Sequence, residues 1–213
     1  MIPKLQYIAQ GSSPKEHLEN IQKACTAGAE LVQLRIENIS EKKFLKLALE
    51  AREVTAHFQT RLMVTDHYRI AKEVKADGLQ LGKIASNPNA ARKHLYTWQI
   101  IGGRANTLQD CESLIEKEVD FICLGPFRIT NTEDHLSSVL GLNGYSLITE
   151  ALKTTTPIIG FGGITTEDVT DILKTGISGI AVSGEITRNF NTIKTFNQLL
   201  KASSTKEQRH TFK

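Results

Sequence analysis

Residues 157–184 read PIIGFGGITTEDVTDILKTGISGIAVSG, and within them lies one complete strand–helix–strand unit. Pro157-Ile158-Ile159 and Gly179-Ile180-Ala181-Val182 are short, continuous apolar runs. That is the pattern of strands buried on both faces of a parallel sheet. Between them, Thr165–Leu173 carries apolar residues at helical spacing. Thr175-Gly176-Ile177 ends the helix, with glycine supplying the left-handed residue that turns the chain back toward the sheet. Each strand also runs directly into glycines, as Gly160-Phe161-Gly162-Gly163 and as Ser183-Gly184.

The same unit repeats along the chain. Six earlier strands are read at Leu5–Ile8, Glu30–Ile36, Leu62–Val64, Gly78–Leu81, Gln99–Ile101 and Phe121–Leu124. Further helices are read from Ser13-Pro14, from Ser40, at Tyr68–Val74, after Pro88, from Thr107 through Ile115, at Tyr145–Leu152 and at Thr192–Leu200. Ala27-Gly28-Ala29 repeats the glycine stop, and Lys75-Ala76-Asp77 makes the same stop without glycine. Eight alternations in 213 residues, with no linker, predict an α/β fold. Their number favours a single (β/α)8 TIM barrel over an open doubly wound sheet. The barrel is assigned to residues 1–202, and the polar tail at 203–213 is expected to be loose.

The composition, 40% hydrophobic and 23% charged with a net charge of +3, suits one soluble domain. A charge so near balance argues against a nucleic-acid partner, which calls for Lys and Arg concentrated on one face. No run reaches the ~20 apolar residues of a membrane helix. Met1–Leu5 lacks the apolar core of a signal peptide, so a cytoplasmic location is expected. Cys25, Cys111 and Cys123 form no CxxC pair and are odd in number, so buried, reduced thiols are expected.

In such a barrel the chemistry sits on the loops that follow the strands. Those loops carry Arg35, Glu37 and Asn38 after the second strand, Thr65 and Asp66 after the third, and Gly82 and Lys83 after the fourth. Gly103, Arg104 and Asn106 follow the fifth; Gly125-Pro126-Phe127 with Arg128, Thr130, Thr132 and Glu133 follow the sixth. Gly162-Gly163 and Ser183-Gly184 let backbone N–H groups approach an anion, the second at a helix start whose dipole favours negative charge. The same glycines would serve as plain tight turns. Their matched positions after strands seven and eight favour a phosphate grip. Asp66 is as well placed to cap the following helix as to hold a metal. Arg35 is expected to point into the barrel mouth.

Val32-Gln33-Leu34-Arg35, Asp66, Ala76–Gly82, Leu124-Gly125-Pro126-Phe127 with Thr130 and Thr132, Gly160–Ile164 and Gly179–Ser183 follow one another in that order. The set resembles the thiamine phosphate synthase family and its thiazole tautomerase relatives, from Leu5 to Leu200. The resemblance implies a transferase of thiamine biosynthesis. Such an enzyme joins aminopyrimidine methyl diphosphate to thiazole phosphate, releases diphosphate, and uses Mg²⁺ as cofactor. It implies catalytic roles for Arg35, Thr130 and Thr132, and Asp66 as a magnesium ligand. Substrate contacts are implied for Gln33, Arg35, Thr65, Lys83, Arg104, Thr130, Thr132, Gly162, Gly163, Val182, Ser183 and Gly184. The implied partners are small-molecule phosphates, with no nucleic acid and no membrane; homo-oligomer formation stays open.

The departures from the family pattern fall together. Its Gln-x-Arg-x-Lys ends here in Glu37, and its Asn-Asp is Thr65-Asp66. Its His-x-Gly-Gln-x-Asp reads Gln80-Leu81-Gly82-Lys83-Ile84-Ala85, so an alanine stands at the second magnesium ligand. A serine after the fifth strand is Arg104, and the Thr-x-Thr-Lys loop ends in Glu133. Nearly all of these lie in the diphosphate–magnesium half, while the thiazole-phosphate half is kept. Three readings follow. One is a synthase with a rewired diphosphate half-site, in which Lys83 and Arg104 replace lost charge. The second is a thiazole tautomerase-like enzyme, against which stands Pro126 where that group carries histidine. The third is a non-catalytic binder of thiazole phosphate or a regulatory relative.

Overall fold

A computed structural model describes residues 2–82, 87–130 and 138–210, with only the backbone described from Ala202 onward. Eight parallel strands close into one barrel in chain order, the first pairing with both the second and the eighth. They are β1 (Leu5–Ile8), β2 (Leu31–Leu34), β3 (Arg61–Thr65), β4 (Gly78–Leu81), β5 (Ile100–Ala105), β6 (Phe121–Leu124), β7 (Ile158–Phe161) and β8 (Gly179–Val182). Around them lie α1 (Pro14–Thr26), α2 (Glu41–His57), α3 (Tyr68–Glu73), α4 (Pro88–Arg92), α5 (Leu108–Glu116), α6 (Gly141–Leu152), α7 (Val169–Lys174), α8 (Gly184–Arg188) and α9 (Thr192–His210). Among the described residues no helix is long and apolar enough to cross a membrane.

Local chemistry sets the helix ends. Ser13 caps α1 by accepting from the Glu16 N–H at 3.2 Å, with Pro14 in the first turn. Thr107 and Asp110 form a reciprocal capping box at α5. Gly176, at φ +89°, ends α7 in the left-handed conformation its sequence predicts. Lys75 adopts φ +50° after α3, so the stop without glycine uses the same geometry at a steric cost.

Strand side chains alternate between two cores. Leu31, Met63, Phe121, Cys123, Ile159, Phe161 and Ala181 pack together in the barrel interior. Their neighbours in the strands, such as Leu62, Val64, Ile122 and Ile180, pack outward against Phe44, Ile70 and Phe196 of the helices. The interior is so full that a Cβ on Gly102 would fall 2.4 Å from Gln80 Oε1 and 2.2 Å from Phe121 Cζ.

Several boundaries differ from the sequence reading: β3 takes in Thr65, read as a loop residue, β7 runs on to Phe161, and α6 starts at Gly141. β2 is shorter than Glu30–Ile36. β5 runs on to Ala105, because Gly102, Gly103, Arg104 and Ala105 all find partners on β6. Arg104 therefore stands on a strand and not in the loop after it. A short separate helix, α8, starts at Gly184, and α9 continues to His210, beyond Leu200 and into the stretch read as a loose tail.

The seam between β6 and β7 depends on one buried hydroxyl. Tyr145 is fully buried; its OH donates to the Leu124 carbonyl at 3.1 Å and accepts from the Phe161 N–H at 3.1 Å. Tyr145→Phe would leave a buried N–H and a buried C=O short of a partner. It is expected to lower stability by about 1–3 kcal/mol, or ~2–4 °C in Tm per kcal/mol, as read in thermal and urea melts.

Candidate active site

Three cavities meet at the C-terminal mouth of the barrel. The first, of about 350 Å³, is lined by Thr130, Gly162, Gly163, Val182, Ser183 and Gly184 together with Gln10. The second, of about 700 Å³, lies between the loops after β1 and β2 and is lined by Gln10, Ser12, His17, Arg35, Glu37 and Lys43. The third, of about 430 Å³, is lined by Gln33, Arg35, Thr65, Asp66, Gly82 and Arg104. Ile8, Gln10 and Ser183 line both the first and the second, and Arg35 and Glu37 both the second and the third. One continuous mouth thus runs around the strand ends.

At the glycine end, both turn residues are committed to their conformation. Gly162 lies at φ +97° and Gly163 at φ +67°. A Cβ on Gly162 would sit 2.6 Å from Pro126 Cβ, and one on Gly163 would sit 3.0 Å from Arg128 Cβ. Ser183 turns its hydroxyl onto the Ile8 carbonyl at 2.9 Å, which ties β8 to the end of β1. The Val182 side chain packs in the core between sheet and helices, although the residue lines the cavity wall.

The opposite end is built from side chains. Gln33 is buried and donates to Thr65 Oγ1 at 2.9 Å. Arg35 donates to Glu37 Oε1 at 2.9 Å. Asp66 sits at φ +58°, and its Oδ1 accepts from the Gly82 N–H at 2.7 Å. That bond spends the carboxylate on the next loop and not on capping α3, whose first residues gain no side-chain cap. Arg104 lays its guanidinium over the Phe161 ring, 4.7 Å from the centroid, so a strand residue of β5 reaches across the mouth to β7. Lys83, Ala85, Thr132 and Glu133 lie outside the described residues. Among the described residues, no group of three or more His, Cys, Asp or Glu side chains gathers into a metal site.

The sequence profile of the family described as thiamine monophosphate synthase matches residues 5–186. The chain belongs to that family. It is 40% identical over 204 residues to the thiamine-phosphate synthase of Flavobacterium psychrophilum, covering 94% of this chain and 99% of the relative. It is 36% identical over 187 residues to that of Bacteroides thetaiotaomicron, covering 86% and 90%. The solved structure of thiamine phosphate pyrophosphorylase from Pyrococcus furiosus superposes with a TM-score of 0.78 at 24% identity, covering 93% of this chain and 96% of that one, a likeness of fold. Relatives that bear the synthase name over nearly their whole length leave the tautomerase reading unfavoured.

Within this family pattern, the structure gives Glu37 a definite partner. The carboxylate that replaces the family's lysine neutralises Arg35 next door. Two contributors are missed by reading loops from the second strand onward. Gln10, two residues beyond β1, lines two of the cavities, and the strand-end rule would have found it if applied to the first strand. Asp168, beyond β7, is signalled only by the capping-box spacing Thr165-x-x-Asp168, which marks a helix start and not its bond to Arg128. It caps the turn at Thr165 and accepts from both Arg128 nitrogens, at 2.6 and 2.5 Å.

Burial raises the Asp168 carboxyl's pKa, but the bonds from Arg128 and Thr165 outweigh it and hold the group below its ordinary 3.8. A carboxyl depressed in the folded state stabilises above its unfolded pKa, and the gain fades as pH falls through the folded value. The Asp168→Asn variant is therefore expected to lose about 1–2 kcal/mol near neutrality. Its stability should then fall less steeply than the parent's below pH 3.8 in acid titration of the melting transition.

Proposed function

We propose that the protein is a thiamine-phosphate synthase, a transferase that forms thiamine phosphate from aminopyrimidine methyl diphosphate and thiazole phosphate. The carrying observation is the single mouth that joins a wall of backbone turns at β7 and β8 to a wall of charged side chains at β2 and β3. Two phosphorylated substrates need two anion-accepting ends and a common floor between them.

In this reading the thiazole phosphate occupies the glycine-lined end. Gly162, Gly163, Ser183 and Gly184 offer N–H groups there, with Thr130 and Thr132 from the loop after β6. The diphosphate lies toward Arg35, with Gln33, Thr65, Lys83 and Arg104 as further contacts. The bond between the pyrimidine methylene carbon and the diphosphate oxygen breaks, and the oxygen keeps the electron pair. The thiazole nitrogen then supplies the pair for the new C–N bond. No proton is transferred, so the protein's work is to hold two rings in line and to balance departing charge.

The donor set suits magnesium. This ion takes oxygen ligands, keeps several waters, and is held by one or two carboxylates together with substrate phosphates. Asp66 Oδ1 accepts from the Gly82 N–H, which orients the carboxylate at the cavity wall, and Asp66 would be the protein residue that holds the ion. The ion, when bound, would neutralise charge on the leaving diphosphate. Buried thiols at Cys25, Cys111 and Cys123 suit a reducing cytoplasm.

Thiamine phosphate formation by the purified chain, with both substrates and Mg²⁺, tests the reading. Turnover by the unmodified protein is expected. Product only from an Ala85→Asp, Glu37→Lys, Glu133→Lys triple variant would instead mean a binder that has lost the transfer. In an active enzyme, Asp66→Ala should cut kcat/KM at least about tenfold. Glu37→Gln, which frees Arg35 from an exposed partner, should lower KM for the diphosphate substrate by roughly two- to fivefold.

A further inference from the structure

Arg128 stands in the loop after β6, between the family-motif residues Phe127 and Thr130 but with no role implied by the resemblance, and makes four bonds to the segment after β7. Its backbone N–H donates to the Gly162 carbonyl at 3.0 Å. Its guanidinium donates to the Gly163 carbonyl at 3.0 Å and forms a two-pronged pair with Asp168. Asp168 in turn accepts from the Thr165 N–H at 2.8 Å and the Thr165 hydroxyl at 2.9 Å. The Arg128 side chain is half exposed, but the Asp168 side chain is only 10% exposed, so the pair is anchored from its carboxylate side.

Peptide planarity turns these contacts into a statement about the cavity. In a trans peptide the C=O and the following N–H point in opposite directions. The Gly162 and Gly163 carbonyls are both drawn toward Arg128, on the β6 side of β7. The Gly163 and Ile164 N–H groups, which share those two peptide planes, therefore face the other way. On that side is β8, where Ser183 and Gly184 complete the cavity wall. We propose that Arg128 and Asp168 are positioning residues: with the Gly162 carbonyl already held by the Arg128 backbone N–H, the guanidinium, braced by Asp168, fixes the Gly163–Ile164 peptide so that its N–H faces the phosphate of the thiazole substrate, and neither side chain touches that phosphate.

This rests on the reading of the glycine-lined cavity as the thiazole-phosphate site. Steady-state kinetics with each substrate varied in turn tests it. Arg128→Ala should raise KM for thiazole phosphate about tenfold or more. Over the same comparison kcat, and KM for the diphosphate substrate, should move less than about threefold. Arg128→Lys should recover part of the loss, since it keeps the charge but not the fork. Asp168→Asn should show the same split, and the double variant should be no worse than Arg128→Ala alone.

Arg92→Ala is the control for plain destabilisation. Arg92 makes a similar pair with Asp120 and donates to the Gln99 carbonyl, but at the far, N-terminal end of the strands. It should lower Tm and leave both KM values in place. An unchanged thiazole-phosphate KM in Arg128→Ala would overturn the positioning role while leaving the site reading intact. The same KM rise in Arg92→Ala would overturn it as well. A parent enzyme showing no saturable dependence on thiazole phosphate would overturn the site reading, and this inference with it.

Discussion

A closed parallel barrel has no edge, and closure in chain order delivers eight strand ends to one face. Everything else in this molecule depends on that constraint. The backbone groups of the strands are spent on neighbours, and the interior is packed until even a methyl at Gly102 would collide. No ligand can enter there. Only the mouth remains, and residues distant in sequence meet in it because the ring closes: Ser183 bonds to the Ile8 carbonyl across 175 positions. Tyr145 performs the same service for the β6–β7 seam, bonding to the last residue of each strand.

The two ends of the mouth are made of different materials. The glycine end is shaped by backbone conformation, through positive φ at Gly162 and Gly163 and close contact with Pro126 and Arg128. The other end is shaped by side chains that satisfy one another: Gln33 with Thr65, Arg35 with Glu37, Asp66 with the Gly82 N–H. An arginine paired with an exposed glutamate still carries its charge, but its field at the cleft is partly cancelled. Arg104, projecting from β5 over Phe161, brings cationic charge to the same wall from the opposite side.

The barrel is legible in the sequence because two periods alternate without interruption. Apolar runs buried on both faces mark the strands, and several helix ends have local signatures such as the Thr107–Asp110 capping box. The boundaries that slip are those set by pairing. β5 extends to Ala105 because β6 offers it partners, and no local feature of Gly102-Gly103-Arg104 announces this. Among site residues, the strand-end rule reaches Arg35, Asp66 and the glycine turns. It gives no hint that Asp66 is held by Gly82, 16 residues away, or that Arg128 would clamp Asp168, 40 residues on. Those contacts are properties of the closed ring, and neither partner's local sequence encodes the other.

This difference in construction bears on how such a site changes. A backbone grip is sensitive to the fold but tolerant of which side chains surround it, because its donors are N–H groups that every residue except proline carries. A side-chain grip loses a charge with a single substitution, and the fold does not object. Among the described residues, the departures from the family pattern sit where that argument puts them: Glu37, Thr65 and Arg104 all line the side-chain end. Gly162 and Gly163, where a Cβ would strike a neighbouring loop, are unchanged. The glycine turns are therefore required by packing, whatever they bind. The Gly162 and Gly163 carbonyls are both held by Arg128, so the peptide planes of this turn are fixed by contacts as well as by packing.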